Sequence, residues 1–199
     1  MKTLLFQESY IMVIILFILM ILFKKLYPLF IIIFIFLLYF YRFPERSNQY
    51  CHKTIVSPAD GTVSDIQRLP NGYKRIIIFL SPLNVHVQWT PVKGTVTDIS
   101  YKKGSFHPAF LFKKSDYNER MITTISTNRG NVYIRQIAGI LARRIVHWLS
   151  KNQQVERGTP MGMIKLSSRV DIDIPPHTSI LIKKGDHVKG NDTKLAVWL

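Results

Sequence analysis

Cysteine is almost absent. The 199-residue chain has one, Cys51, which excludes an intramolecular disulfide framework and any multi-cysteine zinc site. Acidic residues are scarce as well: 12 Asp and Glu stand against 27 Lys and Arg, a formal charge of +15. That imbalance suits an anionic partner, whether nucleic acid, an acidic membrane surface or a phosphate-bearing substrate. Short catalytic fingerprints are missing. The six histidines, His52, His86, His107, His147, His177 and His187, form no HExxH or HxxxH, so no metal site has local support, and there is no GxSxG elbow, P-loop or GxGxxG. Basic pairs (Lys102-Lys103, Lys113-Lys114, Arg143-Arg144, Lys183-Lys184) are spread along the chain without interleaved aromatics, which argues against nucleic acid.

Charge is also missing from two long runs, Tyr10–Phe23 and Leu26–Tyr41. Residues 1–43 hold only Lys2, Glu8, Lys24, Lys25 and Arg42, which leaves 23 basic and 11 acidic residues, a net +12, for residues 44–199. The positive mean hydropathy of +0.11 therefore comes from the N-terminus. As helices the two runs would measure about 21 and 24 Å at ~1.5 Å per residue, against a bilayer core of ~30 Å. Lys24, Lys25 and Pro28 break them apart, and no small-residue cleavage site of a signal peptide follows either. The expectation is a short hydrophobic hairpin, spanning or monotopic, with Tyr39 and Tyr41 beside Arg42 as an interfacial belt. The balance of Lys and Arg favours a cell-membrane location with the basic domain on the cytoplasmic side.

Beyond Phe43-Pro44 the pattern changes. Short runs rich in Val, Ile and Thr, punctuated by Gly, Pro and Asn, predict strands, among them Ile76–Leu80 and the alternating Val85, Val87, Trp89. Apolar spacing over Ile137–Leu149 predicts one short helix. Gly61-Thr62-Val63-Ser64-Asp65-Ile66 is echoed by Gly94-Thr95-Val96-Thr97-Asp98-Ile99, and Val155-Glu156-Arg157-Gly158 by Val188-Lys189-Gly190. The expected fold is mainly β: a compact sandwich or barrel over 44–199 built from related hairpins, as in lipoyl and biotinyl domains, behind an N-terminal hydrophobic helical hairpin over 1–43. The exposed lysine motif that such carriers modify is absent, so the likeness is one of fold alone.

Two stretches stand out for chemistry: Ser81–Pro91, which carries His86 between two prolines, and Leu166-Ser167-Ser168-Arg169-Val170-Asp171. Together with Val56–Gly61, Gly104-Ser105-Phe106, Asn118-Glu119-Arg120, Gln136-Ile137-Ala138-Gly139 and Ala142-Arg143-Arg144-Ile145-Val146, they resemble the phosphatidylserine decarboxylases in their short, membrane-proximal, archaeal and bacterial form. Tyr41–Arg46 is similar to that form's FFRxPxR segment, and seven or more motifs in one order make the resemblance specific.

The resemblance implies a pyruvoyl enzyme that needs no metal. Cleavage between Ser167 and Ser168 would give chains 1–167 and 168–199, with the pyruvoyl group formed from Ser168 at the start of the small chain. Ser168 Oγ would attack the carbonyl of residue 167, and elimination from the resulting ester would free the large chain. The ketone left behind would serve phosphatidylserine, or its archaeal ether-lipid counterpart, as an electron sink while CO₂ leaves. By the same resemblance His86 is implicated in decarboxylation and Asp60 in self-processing. Longer relatives carry a second histidine three residues after the first; this chain has Trp89 there, so Asp60 or His86 is left as the processing base. The family usually has Gly before the cleaved Ser; Ser167 replaces it, and an uncleaved, non-catalytic lipid-binding relative is the alternative. Lys113, Lys114, Arg143 and Arg144 are the candidate headgroup contacts. The expected partners are an anionic phospholipid membrane and the two product chains with each other, and a homodimer is compatible with the reading.

Overall fold

The computed structural model describes residues 2–3, 9–47, 49–104, 118–139, 145–165 and 168–199, without the side chains of residues 2, 3 and 168. The chain divides into two compact units, Met1–Glu45 and Arg46–Leu199, two residues beyond the change in composition. In the first, helix α1 (Tyr10–Leu22) and helix α2 (Tyr27–Phe40) meet through a 3-10 turn at Lys24–Leu26. The pair is bent by 117°, with Pro28 in the opening turn of α2, where its missing N–H costs nothing. Phe17 and Phe34 meet edge to face at 6.3 Å, and Val13, Leu16, Phe30, Leu37 and Phe40 are buried. The other faces are bare apolar surface: Ile21, Leu22 and Ile32 are each more than 60% exposed. Among the described residues no single helix is long and apolar enough to cross a membrane; the bent pair together meets the length and composition for it. Strands β1 (Lys2–Thr3) and β2 (Arg42–Phe43) pair below the helices.

Among the described residues the regular elements of the second unit are all strands. In chain order these are β3 (Thr54–Val56), β4 (Gly61–Arg68), β5 (Lys74–Leu80), β6 (Val87–Trp89), β7 (Gly94–Lys102), β8 (Arg120–Thr127) and β9 (Gly130–Ala138). There follow β10 (Ile145–His147), β11 (Gln154–Val155), β12 (Pro160–Ile164), β13 (Ser168–Ile174), β14 (Thr178–Ile180), β15 (His187–Val188) and β16 (Lys194–Trp198). Eight strands form one antiparallel sheet in the order β11-β7-β8-β9-β13-β5-β4-β15, joined by the three-stranded sheets β10-β12-β6 and β14-β16-β3. The mainly β expectation therefore holds. The helix predicted over Ile137–Leu149 is replaced by strand at both ends, Ile137-Ala138 in β9 and Ile145–His147 in β10. Residues 140–144 between them lie outside the described residues.

The strand order reads as one seven-stranded unit used twice. One copy is β6–β12; the other is β3–β5 followed by β13–β16, so the first copy is inserted into the second. The register bears this out. Both echoed strands carry a bulge at the same place, between Val63 and Asp65 in β4 and between Val96 and Asp98 in β7. Val188 pairs with Gly61 as Val155 pairs with Gly94, so the second echo supplies the matching edge strands. A Cβ on Gly61 or Gly94 would collide with the carbonyl oxygen of Phe79 or Ser126, which is why both echoes begin with glycine. The core fills the space inside these strands with Ile76, Ile78, Val96, Ile125, Ile134, Val170, Ile172 and Leu195, each fully or almost fully buried.

Candidate active site

The bond between residues 167 and 168 lies where the chain leaves the inserted copy and returns to the outer one. Strand β13 starts there, and Ser168 takes a backbone position opposite Leu80 of β5 on one side and Ala138 of β9 on the other. Both neighbours are completely buried. Ala138 is held from beyond the sheet: its N–H donates to the Glu119 carbonyl (2.9 Å), and Asn118 Nδ2 donates to its carbonyl (2.8 Å). This gives the Asn118-Glu119 motif a structural task beside position 168.

Leu80 leads directly into the segment that carries His86. Ser81 N and Oγ both donate to Asn84 Oδ1, at 2.8 and 2.9 Å, and Asn84 N–H closes the turn onto the Ser81 carbonyl at 3.0 Å. The turn delivers the Asn84 carbonyl to His86 Nδ1 at 2.9 Å. A carbonyl can only accept, so Nδ1 carries the hydrogen and Nε2 is the basic atom of the ring. The His86 side chain is completely buried. Its own carbonyl accepts two hydrogen bonds, from Ile164 N–H (3.3 Å) and from Gln88 Nε2 (2.6 Å). Ile164 is the last residue of β12, four before Ser168. His86 is thus linked to position 168 by two routes, through Ile164 of β12 and through the turn that follows Leu80 of β5.

Asp60 has a different setting. Both of its carboxylate oxygens face the Arg46 guanidinium: Nη2 donates to Oδ2 at 2.9 Å and Nη1 to Oδ1. Gly190 N–H adds a third bond, to Oδ1 at 2.8 Å. Arg46 also donates to the Gly190 carbonyl at 2.7 Å and lies 4.8 Å above the Trp89 ring. A Cβ on Gly190 would run into that ring. Trp89, which stands where longer relatives have histidine, is therefore the floor of an Arg–Asp pair. Its N–H donates to the Pro58 carbonyl (2.9 Å), which links the Asp60 loop to the strand of His86.

The face of β13 opposite the core carries charge. Arg169 donates from Nε and Nη2 to the two oxygens of Asp171 at 2.7 and 2.8 Å, with both side chains almost fully buried. Burial pushes the Asp171 carboxyl above its ordinary value, while Arg169 pulls it back. Two residues on, Asp173 accepts from Arg75 (2.8 Å) and faces Arg135 at 2.5 Å. A groove of about 830 Å³ lies elsewhere, lined by His52, Lys93, Arg129 and Arg157 among others. Its described lining includes neither Asp60 nor His86, and Arg157 spends its guanidinium on the Tyr50, Cys51 and Thr54 carbonyls.

Comparison with known sequences decides the family. The phosphatidylserine decarboxylase sequence model matches residues 33–196. The chain belongs to that family. A putative archaetidylserine decarboxylase proenzyme of Methanosarcina barkeri is 43% identical over 157 residues, covering 79% of this chain and 74% of that protein. A phosphatidylserine decarboxylase proenzyme of Chlorobium limicola is 39% identical over 163 residues, 79% of this chain and 77% of its own length. A putative archaetidylserine decarboxylase proenzyme of Methanococcoides burtonii is 39% identical over 158 residues, 79% and 73%. Membership in the phosphatidylserine decarboxylase family makes the chain a decarboxylase.

Of the site residues drawn from the sequence, His86 is linked to backbone position 168 only through intervening residues, Ile164 of β12 and the turn after Leu80, and Asp60 is placed beside Trp89 and Arg46. Ser167, Lys113, Lys114, Arg143 and Arg144 lie outside the described residues, as does the Ser168 side chain. Sequence reasoning missed Arg46 as the partner of Asp60 and Gln88 as a holder of His86. The signal for Gln88 was present: a lone amide alternating with Val87 and Trp89 in a short buried strand.

Proposed function

We propose that this decarboxylase matures by self-cleavage between Ser167 and Ser168 and then decarboxylates a serine phospholipid to the ethanolamine lipid. The observation that carries the reading is the coupling of position 168, between Leu80 and Ala138, to a buried imidazole of fixed tautomer through the Ile164 N–H and the Ser81–Asn84 turn. A ketone derived from Ser168 fits such a place: its strand neighbours are apolar and dry, and His86 is the basic group tied to it. That ketone supplies an electron sink for the bond to CO₂. The chain's own residues supply the rest. His86 Nε2 takes the Ser168 hydroxyl proton during processing, and it later returns a proton to the carbon that CO₂ has left. Asn84 holds the ring in the tautomer whose Nε2 can accept a proton. Asp60, with both oxygens committed to Arg46 and Gly190, shapes the loop that Trp89 links to the His86 segment.

We further propose that the apolar helix pair holds the enzyme at a membrane, where the +12 domain meets anionic lipid; each Lys or Arg near such a surface contributes ~1 kcal/mol. Lys113, Lys114, Arg143 and Arg144 are the headgroup contacts in this reading, on the cytoplasmic side.

Intact mass of the purified full chain tests the processing step. The expected result is two chains, the smaller spanning 168–199 and trapping an amine on borohydride reduction. Ser168→Ala abolishes both the cleavage and CO₂ release. A single chain of 23.2 kDa without CO₂ release from vesicles of either the diacyl or the ether serine lipid would leave the uncleaved lipid-binding reading in its place.

A further inference from the structure

The two copies of the folding unit differ at several matched places, buried or half-buried, and four of them carry a common change. Residues that pair across the strands in the same way are Ile55 and Gln88, Ile174 and Gln136, Ile76 and Thr123, and Ile180 and His147. The outer copy fills these places with four isoleucines and the inserted copy with four polar residues. Ala196 in one matches Gly162 in the other, at the same bulge. The fold is evidently content with isoleucine at these positions, so the polar set is not required to build the unit.

The polar set is ordered and directional. Gln136 Nε2 donates to Gln88 Oε1 at 2.8 Å, and Gln88 Nε2 donates to the His86 carbonyl at 2.6 Å. That carbonyl can only accept, so it fixes the orientation of Gln88, and Gln88 in turn fixes that of Gln136. Both glutamines are completely buried. Gln136 Oε1 ends the chain of bonds with no donor among the described residues, a costly state for a buried acceptor. Gln136 pairs with Val170 of β13, two residues from the Ala138–Ser168 pair. Gly162 makes room for it: a Cβ there would press on Gln136 Nε2 and on the Val146 carbonyl. Close by, Thr123 Oγ1 stands 3.3 Å from His147 Nε2.

We propose that Gln88 and Gln136 are positioning residues for His86: the amide pair locks the His86 carbonyl to the strand next to β13 and so sets the imidazole against position 168. The proposal rests on the decarboxylase reading above. It explains why a polar bridge that the sister copy does without is kept in the copy that carries His86.

The test places the sister copy's residues here, in the full chain: Gln88→Ile, Gln136→Ile and the double variant, each also made with His86→Ala. The expected result is a double variant with an unchanged or higher Tm. Its self-cleavage is slower, and after cleavage its kcat is lower by tenfold or more with KM for the serine lipid in vesicles unchanged. In the His86→Ala background the same substitutions cost nothing further, because they act through that residue. Wild-type cleavage rate and kcat in the double variant would overturn the proposal, as would a double variant that fails to fold, since the sister copy would then be no guide. If the wild-type chain itself neither cleaves nor releases CO₂, it is the decarboxylase reading that has failed.

Discussion

At the scale of single residues, the charged groups around the site are held in pairs that tolerate little. Asp60 and Arg46 are largely buried, with side chains 10% and 15% exposed. Removing one member leaves the other charged and unpaired, a change that typically costs ~3–5 kcal/mol. Arg46→Ala is therefore expected to lower the stability of the proenzyme by about 3 kcal/mol in denaturant unfolding, and Asp60→Ala by a similar amount. If Arg46→Ala proved neutral, the Asp60 loop would not depend on this pair. His147 makes a second prediction, in pH. Burial lowers its pKa below the ordinary 6.5, and its Nδ1 lies 2.9 Å from the Met161 carbonyl. The unfolded chain therefore binds this proton first as pH falls. The contribution of neutral His147 is intact above about pH 6.5 and is lost progressively below it. His147→Ile, the residue of the sister copy, should flatten the Tm-against-pH curve below about pH 6.5 and leave the neutral side in place.

At the scale of elements, the strands were legible where local pattern and tertiary pairing agree. The Gly-Thr-Val-Ser/Thr-Asp-Ile echo became two strands with the same bulge and the same edge partner, because both begin where only glycine lets a neighbouring carbonyl approach. Gly94→Ala is expected to cost about 1–3 kcal/mol, the usual range for forcing extra volume into a packed site, and to lower Tm by several degrees. An unchanged Tm would mean that the Ser126 carbonyl can move aside. The described strand residues of the stretch Ile137–Leu149, 137–138 and 145–147, went the other way. Ile137, Ile140, Leu141, Ile145 and Trp148 have helical spacing, yet Ile134, Gln136 and Ala138 also alternate, and pairing with β8 and β13 makes that second period the effective one. Short apolar runs satisfy both periods, and only the partner strands decide between them.

At the scale of the whole molecule, β13 lies near the middle of the eight-stranded sheet, bonded to β9 on one side and β5 on the other. A cut before Ser168 would leave the small chain holding β13 to β16, bound through two full ladders and the buried faces of Val170, Ile172 and Ile174. The processed chains should co-elute on native size exclusion and separate only in denaturant; separation in plain buffer would contradict this sheet order. The helix pair sets a second expectation. With apolar faces exposed on both helices, the full chain should stay in the membrane fraction through high salt and alkaline carbonate. Release by salt alone would assign the attachment to the basic surface instead.

Asp60 came only with the family resemblance; composition and local pattern alone determined the apolar segment, the basic β domain, the pair of echoes and the unusual stretches around His86 and Ser168. These follow from charge, period and residue type, which are properties of neighbours along the chain. Tertiary structure decided that Asp60 belongs to Arg46, that position 168 sits between Leu80 and Ala138, and that Gln88 and Gln136 meet behind His86. Those facts depend on register between strands far apart in sequence, where a shift of one residue would turn every side chain to the opposite face.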